Sequence, residues 1–167
     1  MEDVCTECGF DQSSTPAADV GPALERTATE VADAVRSVPL ELLHRRPEPR
    51  VWAPIEYLGH LRESMAFHRW LIEQAVAQDH PEVPMVDPDE SVAAADYRGA
   101  DVEDLLGQFH RRVLRLGAHL AALPPGAAAC SLTLGDRPIT VALIARSAWH
   151  ECHHHLGDIR RSADSSV

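Results

Sequence analysis

Apolar residues recur along this chain at alternating intervals of three and four, the spacing that lines one face of an α-helix. Leu24, Ala28, Val31, Val35 and Val38 form the first such stripe. Pro22 stands near its head, where a missing N–H costs little, and Pro39 ends or bends it. Pro47 and Pro49 keep the stretch from His44 to Arg50 from being helical throughout. A second helix is expected from Pro54 to about Gln78. Leu58, Leu61, Met65, Leu71, Ile72 and Val76 are on its dry face, and Glu56, Arg62, Glu63, Arg69 and Glu73 on its wet one. Three prolines make the stretch from His80 to Glu90 a loop, with a weak segment following as far as Tyr97.

Asp101 with Asp104 reads as the cap of a third helix, and Leu106, Phe109, Val113, Leu116 and Leu120 repeat cleanly behind it. Pro124-Pro125-Gly126 stops that helix. Cys130 to Pro138 reads as a short extended turn around Gly135-Asp136. A fourth helix runs from about Thr140 to Arg161. Four amphipathic helices must bury their dry faces against one another. The expected fold is therefore all-α: a four-helix bundle with a long connection between helices 2 and 3. Residues 1–15 are expected to be a flexible segment, 16–162 the bundle and 163–167 a disordered tail.

At 167 residues the chain has room for a single core. Its formal net charge is −11, and all fifteen basic residues are arginines. An acidic surface argues against nucleic acid and against an anionic membrane. No segment approaches the ~20 apolar residues of a membrane span, and the N-terminus lacks a signal-peptide pattern. A cytoplasmic protein is expected.

The chemistry concentrates in the fourth helix, at Trp149-His150-Glu151-Cys152-His153-His154-His155-Leu156-Gly157-Asp158-Ile159. Two pairs four residues apart could each present ligands on one face, His150 with His154 and Glu151 with His155. At roughly 100° per residue, Val141, Ile144, Ala148, Cys152 and Ile159 define the inward stripe. His155 falls inside it and Glu151 just beyond its edge, whereas His150 and His153 point away. A carboxylate aimed at a core is costly unless paired or metal-bound, which favours Glu151 with His155. The outward pair stays open as the other register.

On the second helix His60 and His68 both fall on the apolar arc. They are roughly 12 Å apart along the axis, too far to share one ion. Periodicity narrowly prefers His68 as the inward residue and does not identify a ligand. Cys152 on the inward stripe reads as a small buried hydrophobe, with a nucleophilic thiol as the rival reading. Cys5-Thr-Glu-Cys8-Gly is half of a zinc knuckle. No second CxxC exists, so a loose thiol pair is expected. A zinc shared between chains or completed by a histidine stays open. Glu151-x-x-His154 resembles half of a di-iron site, but the other Glu-x-x-His, Glu41 to His44, lies in a proline-rich connection.

Three features resemble the DinB/YfiT-like superfamily of four-helix metal-binding proteins, which includes the N-terminal domain of mycothiol-dependent maleylpyruvate isomerase. Trp52 stands eight residues before His60; Glu151 and His155 are followed by Asp158-Ile159; and the chain starts with Cys5-x-x-Cys8-Gly-Phe-Asp. The resemblance implies His60, Glu151 and His155 as the ligands of a divalent metal, zinc first, with nickel or iron also suited. Asp158 is then placed to accept a ligand's ring N–H. It also implies a low-molecular-weight thiol cofactor (mycothiol or similar), whose metal-bound thiolate attacks an electrophilic substrate. The activity implied is a thiol S-transferase or a thiol-assisted isomerase, with a homodimer as the assembly. The other reading is a non-catalytic metal-binding stress or interaction module, which a closed site with His68 as fourth ligand would favour.

Overall fold

The computed structural model describes residues 4–13 and 15–164. Four long helices make the frame: α1 (Ala17–Ser37), α3 (Pro54–Ala77), α5 (Val102–Ala121) and α6 (Val141–Asp164). Between them lie two short helices, α2 (Leu40–Leu43) and α4 (Pro88–Ala95), and three short strands, β1 (Glu82–Val83), β2 (Ser131–Leu134) and β3 (Arg137–Thr140). The apolar stripes predicted for the helices form one core. Leu24, Val31, Leu58, Leu61, Met65, Val113, Leu116, Ala148 and Ile159 are all fully buried. Among the described residues no helix is long and apolar enough to cross a membrane.

The order of the helices around the bundle is not their order in the chain. α1 and α3 each pack against both α5 and α6, so the successive long helices α1 and α3 sit across the diagonal. α1 runs antiparallel to α5, with Gly21 against Gly117 at one end and Arg36 paired with Glu103 at the other. A Cβ at Gly21 would stand 3.4 Å from the Gly117 Cα, an ordinary van der Waals contact, so the two backbones lie close to one another there. α3 runs antiparallel to α6, as shown by His60 beside Glu151 and the apolar wall that Leu71 shares with Ile144. Trp149 beside Thr27 and, further along both helices, Arg160 beside Glu30 show that α1 lies parallel to α6, so α3 lies parallel to α5. Parallel neighbours need a connection that returns the full length of the bundle. The segment 78–101, carrying β1 and α4, is that connection.

Several local expectations are corrected. α1 starts a turn earlier than Pro22, at Ala17 behind Pro16, and Pro22 sits inside the helix. It removes one i→i−4 bond near the N-terminus, where few such bonds have yet formed. Glu56 belongs to the buried set and not to the wet face. Its carboxylate accepts from the Ala53 N–H at 2.8 Å and from Arg46 Nε and Nη2 at 2.7 and 2.9 Å, and this pairing makes burial tolerable. Val76, expected on the dry face, is exposed. The stretch expected to be loop holds β1, which pairs in parallel with β2, Val83 opposite Leu134. β2 and β3 form an antiparallel hairpin around Gly135-Asp136, with Gly135 at φ 64°. The Asp101 side chain caps α5 by accepting from the Asp104 N–H at 2.8 Å.

Residues 4–13 of the segment expected to be flexible lie against α6. Phe10 is buried there, its ring edge-on to Trp149 at 4.8 Å and stacked on His150 at 5.0 Å. Asp164 ends α6, and the rest of the tail lies outside the described residues.

Candidate metal centre

α3 and α6 cross at the level of His60, and there the structure brings His60, Glu151 and His155 together. One ligand atom from each lies within 4.8 Å of the others. His60 Nε2 is 2.9 Å from Glu151 Oε2, and His155 Nε2 is 3.6 Å from the same oxygen. The two imidazoles meet edge to face at 5.0 Å. Helical geometry explains the α6 pair: four residues place Glu151 and His155 one above the other on one face. His60 joins them because the antiparallel packing sets its turn of α3 opposite theirs.

The surroundings orient the rings. The second nitrogen of His155, Nδ1, is 2.7 Å from Asp158 Oδ2 and donates to it, which leaves Nε2 facing the cluster. Asp158 is held in turn by Arg161. Tyr57 packs on His155 at 5.2 Å, and Trp52 packs on His60 at 5.1 Å and on His155 at 6.1 Å. The Trp52 indole N–H donates to Asp89 Oδ1 at 2.9 Å, so α4 fixes the ring that steadies both imidazoles.

Electrostatics follow from this burial and pairing. Burial pushes the Glu151 carboxyl up, but the hydrogen bonds and charges of His155 and His60 outweigh it and hold the group well below its ordinary value. Burial lowers His155, and the Asp158 and Glu151 carboxylates more than reverse that, raising it to about 9. Tyr57, buried beside Asp158, is pushed up to about 12. Cys152 is fully buried one residue from Glu151. Burial and that carboxylate push its thiol far above the ordinary range, so it remains a neutral packing group against Met65.

Two imidazole nitrogens and one carboxylate oxygen converging on one point suit a divalent cation, with fewer than four protein donors. His68 is not part of this group. Its Nδ1 donates to the Ser64 carbonyl at 2.8 Å, and burial lowers its pKa and keeps it neutral. The outward pair His150 and His154 faces the N-terminal segment, with His154 also reaching to 3.8 Å from Asp158 Oδ2.

A cavity of about 300 Å³ opens against His60 and Glu151. Phe67, Leu71, Val86 and Ile144 make most of it apolar. Met85, Leu134 and Ile139 separate it from a second cavity of about 500 Å³ that carries Arg137 and Arg146. Leu71 and Ile144 were legible as inward positions, whereas Met85, Val86, Leu134 and Ile139 come from the connection after β1 and from the β2–β3 hairpin, whose placement leaves no periodic trace in the sequence.

The family model described as the DinB superfamily matches residues 23–159. The structure of YfiT from Bacillus subtilis is similar to this chain, with a TM-score of 0.78 at 18% identity over 98% of this chain and 90% of that one. That protein is described as a probable metal-dependent hydrolase with an unusual four-helix bundle topology. At such identity the likeness is one of fold. No curated protein matches the chain.

Proposed function

The chain belongs to the DinB superfamily. On that premise, together with the His60–Glu151–His155 centre, we propose that it is a metal-dependent enzyme acting with a low-molecular-weight thiol such as mycothiol, as an S-transferase or a thiol-assisted isomerase. The observation that carries this reading is a three-donor centre lying against an apolar cavity. A divalent cation bound there, zinc first with nickel or iron also suited, would supply the charge that lowers a thiol's pKa and makes its sulfur nucleophilic. His60, Glu151 and His155 would hold the ion. Asp158 fixes the His155 tautomer, and Trp52 and Tyr57 keep the imidazoles from turning. The apolar cavity suits the carbon skeleton of an electrophile and keeps water away from it. Arg137 and Arg146 border the adjoining cavity, and their charge suits carboxylate or other polar groups of the thiol. In the transfer a sulfur–carbon bond would form as the carbon–leaving-group bond breaks, the thiol proton passing to solvent. In the isomerisation the same sulfur would add to a conjugated double bond and leave again after rotation, so that no bond changes overall but the double-bond geometry.

The non-catalytic alternative draws on a closed site. His68, the side chain that would close it, is tied to Ser64, and this supports the open arrangement. The test is turnover of an epoxide and of a conjugated cis-diene acid by untagged, metal-loaded protein, with and without mycothiol. Product should require both metal and thiol and be lost in His60→Ala, Glu151→Ala and His155→Ala. Activity that survives chelation sinks the proposal. Hydrolysis that needs metal but no thiol would replace it with a hydrolase.

A further inference from the structure

Two sequence features that the centre does not use, the Cys5-x-x-Cys8 pair and the outward His150/His154 register, meet in space although 142 residues separate Cys8 from His150. One ligand atom from each of Cys5, Cys8, His150 and His154 lies within 4.8 Å of the other three. Cys8 Sγ is 3.4 Å from His150 Nε2, and Cys5 Sγ is 3.8 Å from His154 Nδ1. A tetrahedral zinc with Zn–S ~2.3 Å and Zn–N ~2.0–2.1 Å holds its sulfur and nitrogen ligands ~3.6 Å apart. The two observed distances bracket that value. From this geometry we infer that the chain has a second metal site, a structural zinc ligated by Cys5, Cys8, His150 and His154.

The local backbone has the form such a site requires. The chain from Cys5 to Phe10 closes on itself, with the Gly9 N–H donating to the Cys5 carbonyl and the Cys5 N–H to the Phe10 carbonyl, each at 2.8 Å. Gly9 takes φ 72°, a conformation that glycine adopts without strain. Backbone N–H groups of Cys8 and Glu7 point at the Cys5 sulfur and lower its pKa. Burial raises that of Cys8, partly offset by the Phe10 N–H directed at its sulfur. N–H groups directed at sulfur favour thiolate over thiol.

Each imidazole is also gripped on its far side. His150 Nδ1 is 3.0 Å from the Gln12 side-chain amide, whose oxygen takes a ring N–H once the amide is turned over. His154 Nε2 lies 3.3 Å from Glu7 Oε2 and 3.8 Å from Asp158 Oδ2. This is the ligand-in-front, acceptor-behind arrangement usual for zinc histidines. Phe10 stacked on His150 and Arg146 donating to the Gln12 carbonyl at 2.6 Å bring the segment to α6 in the required register. Two thiolates balance a dication, so the site is neutral. With four protein ligands it is complete, and its role is structural. It is distinct from the inner centre because a one-residue step on α6 turns the ligand pair by about 100°.

The inference does not depend on the activity proposed above. It is tested by counting metal in the untagged full-length chain, purified reduced, loaded with zinc and passed over a weak chelator. Wild type should hold about two zinc ions per chain, Cys5→Ser/Cys8→Ser about one, His60→Ala about one, and the triple variant almost none. With cobalt in place of zinc, thiolate-to-metal charge-transfer absorption should appear in wild type and in His60→Ala and vanish in Cys5→Ser/Cys8→Ser. His150→Gln/His154→Gln should also hold about one ion, while circular dichroism reports an intact bundle. Unchanged zinc in Cys5→Ser/Cys8→Ser, or wild-type cobalt protein without the thiolate band, overturns the site. So does a Cys5–Cys8 disulfide that takes up no second ion after reduction. Loss of thiol-dependent turnover with this count intact would fault the proposed activity alone.

Discussion

Replacing Asp158 with asparagine isolates what the carboxylate behind His155 does for the inner centre. Asp158 Oδ2 stands 2.7 Å from His155 Nδ1, with its side chain 17% exposed, so little water competes for that bond. Loss of a carboxylate behind a metal-binding imidazole costs about 10–100-fold in affinity, or about 1.4–2.7 kcal/mol. The same carboxylate helps raise the metal-free His155 to about 9. Below that pH an incoming cation must displace a proton. Wild-type affinity should therefore climb by up to about tenfold per pH unit between pH 7 and 9 and then level off. Without Asp158 the imidazolium loses a partner and His155 titrates lower, so the proton competes less.

The two effects oppose each other near pH 7 and separate near pH 9. The deficit of Asp158→Asn should thus be small at neutral pH and approach its full size in mild alkali. Chelator-competition titrations at several pH values would read it, in a Cys5→Ser/Cys8→Ser background so that the outer ligands do not contribute. A deficit that stays constant with pH, or no deficit at pH 9, would refute the coupling of Asp158 to metal through His155.

Other perturbations probe the frame around the centre. A Cβ at Gly59 would clash with the Tyr97 ring, 2.4 Å from its nearest carbons; Gly59→Ala should lose about 1–2 kcal/mol in denaturant unfolding, since overpacking outweighs the gain of about 1 kcal/mol in helix propensity. Tyr97→Leu should remove that penalty, and a Gly59→Ala chain as stable as wild type would contradict it. Glu56→Gln breaks the buried pair with Arg46 and should cost about 3 kcal/mol at neutral pH. The Glu56 carboxyl, pushed up by burial, is held below its ordinary 4.5 by the Arg46 and Ala53 hydrogen bonds. Its contribution is therefore present above pH 4.5 and lost as pH falls through the folded value, where wild type and variant should converge. A gap that persisted in acid would show that the loss is packing and not charge. Cys152→Ala should keep turnover within about twofold at a cost of about 1 kcal/mol; a variant that holds metal but has lost turnover would make the thiol a participant.

The helices were legible wherever a stripe of apolar residues met a recognisable end. Asp101 caps α5, and the Leu106 to Leu120 repeat faces the core as its spacing requires. Glu151 and His155 could be read as inward because the wheel depends on neighbours along one helix. His60 could not be separated from His68 in that way, because the choice depends on which turn of α3 meets α6. The adjacent Trp52 held the better clue, since its ring packs on His60. Glu56 was misplaced because its partner Arg46 comes from an irregular loop. The docking of Cys5 and Cys8 on α6 was invisible for the same reason on a larger scale: contacts between the ends of a chain leave no periodic trace.

The diagonal placement of α1 and α3 bears on how fast the chain can fold. Of the lateral interfaces in the bundle, α3 with α5 joins successive long helices, while α1 with α6 joins the two ends of the domain. A bundle of helical hairpins can zip up neighbour by neighbour, but this one must close long loops before much of its core is gained. Folding should therefore be slow for an all-α chain of this length. The side chains of the inner centre, His60, Glu151 and His155, come from α3 and α6, so they meet only when the last long helix docks. A metal ion at that centre would act late, slowing the departure of a finished bundle and doing little to start one.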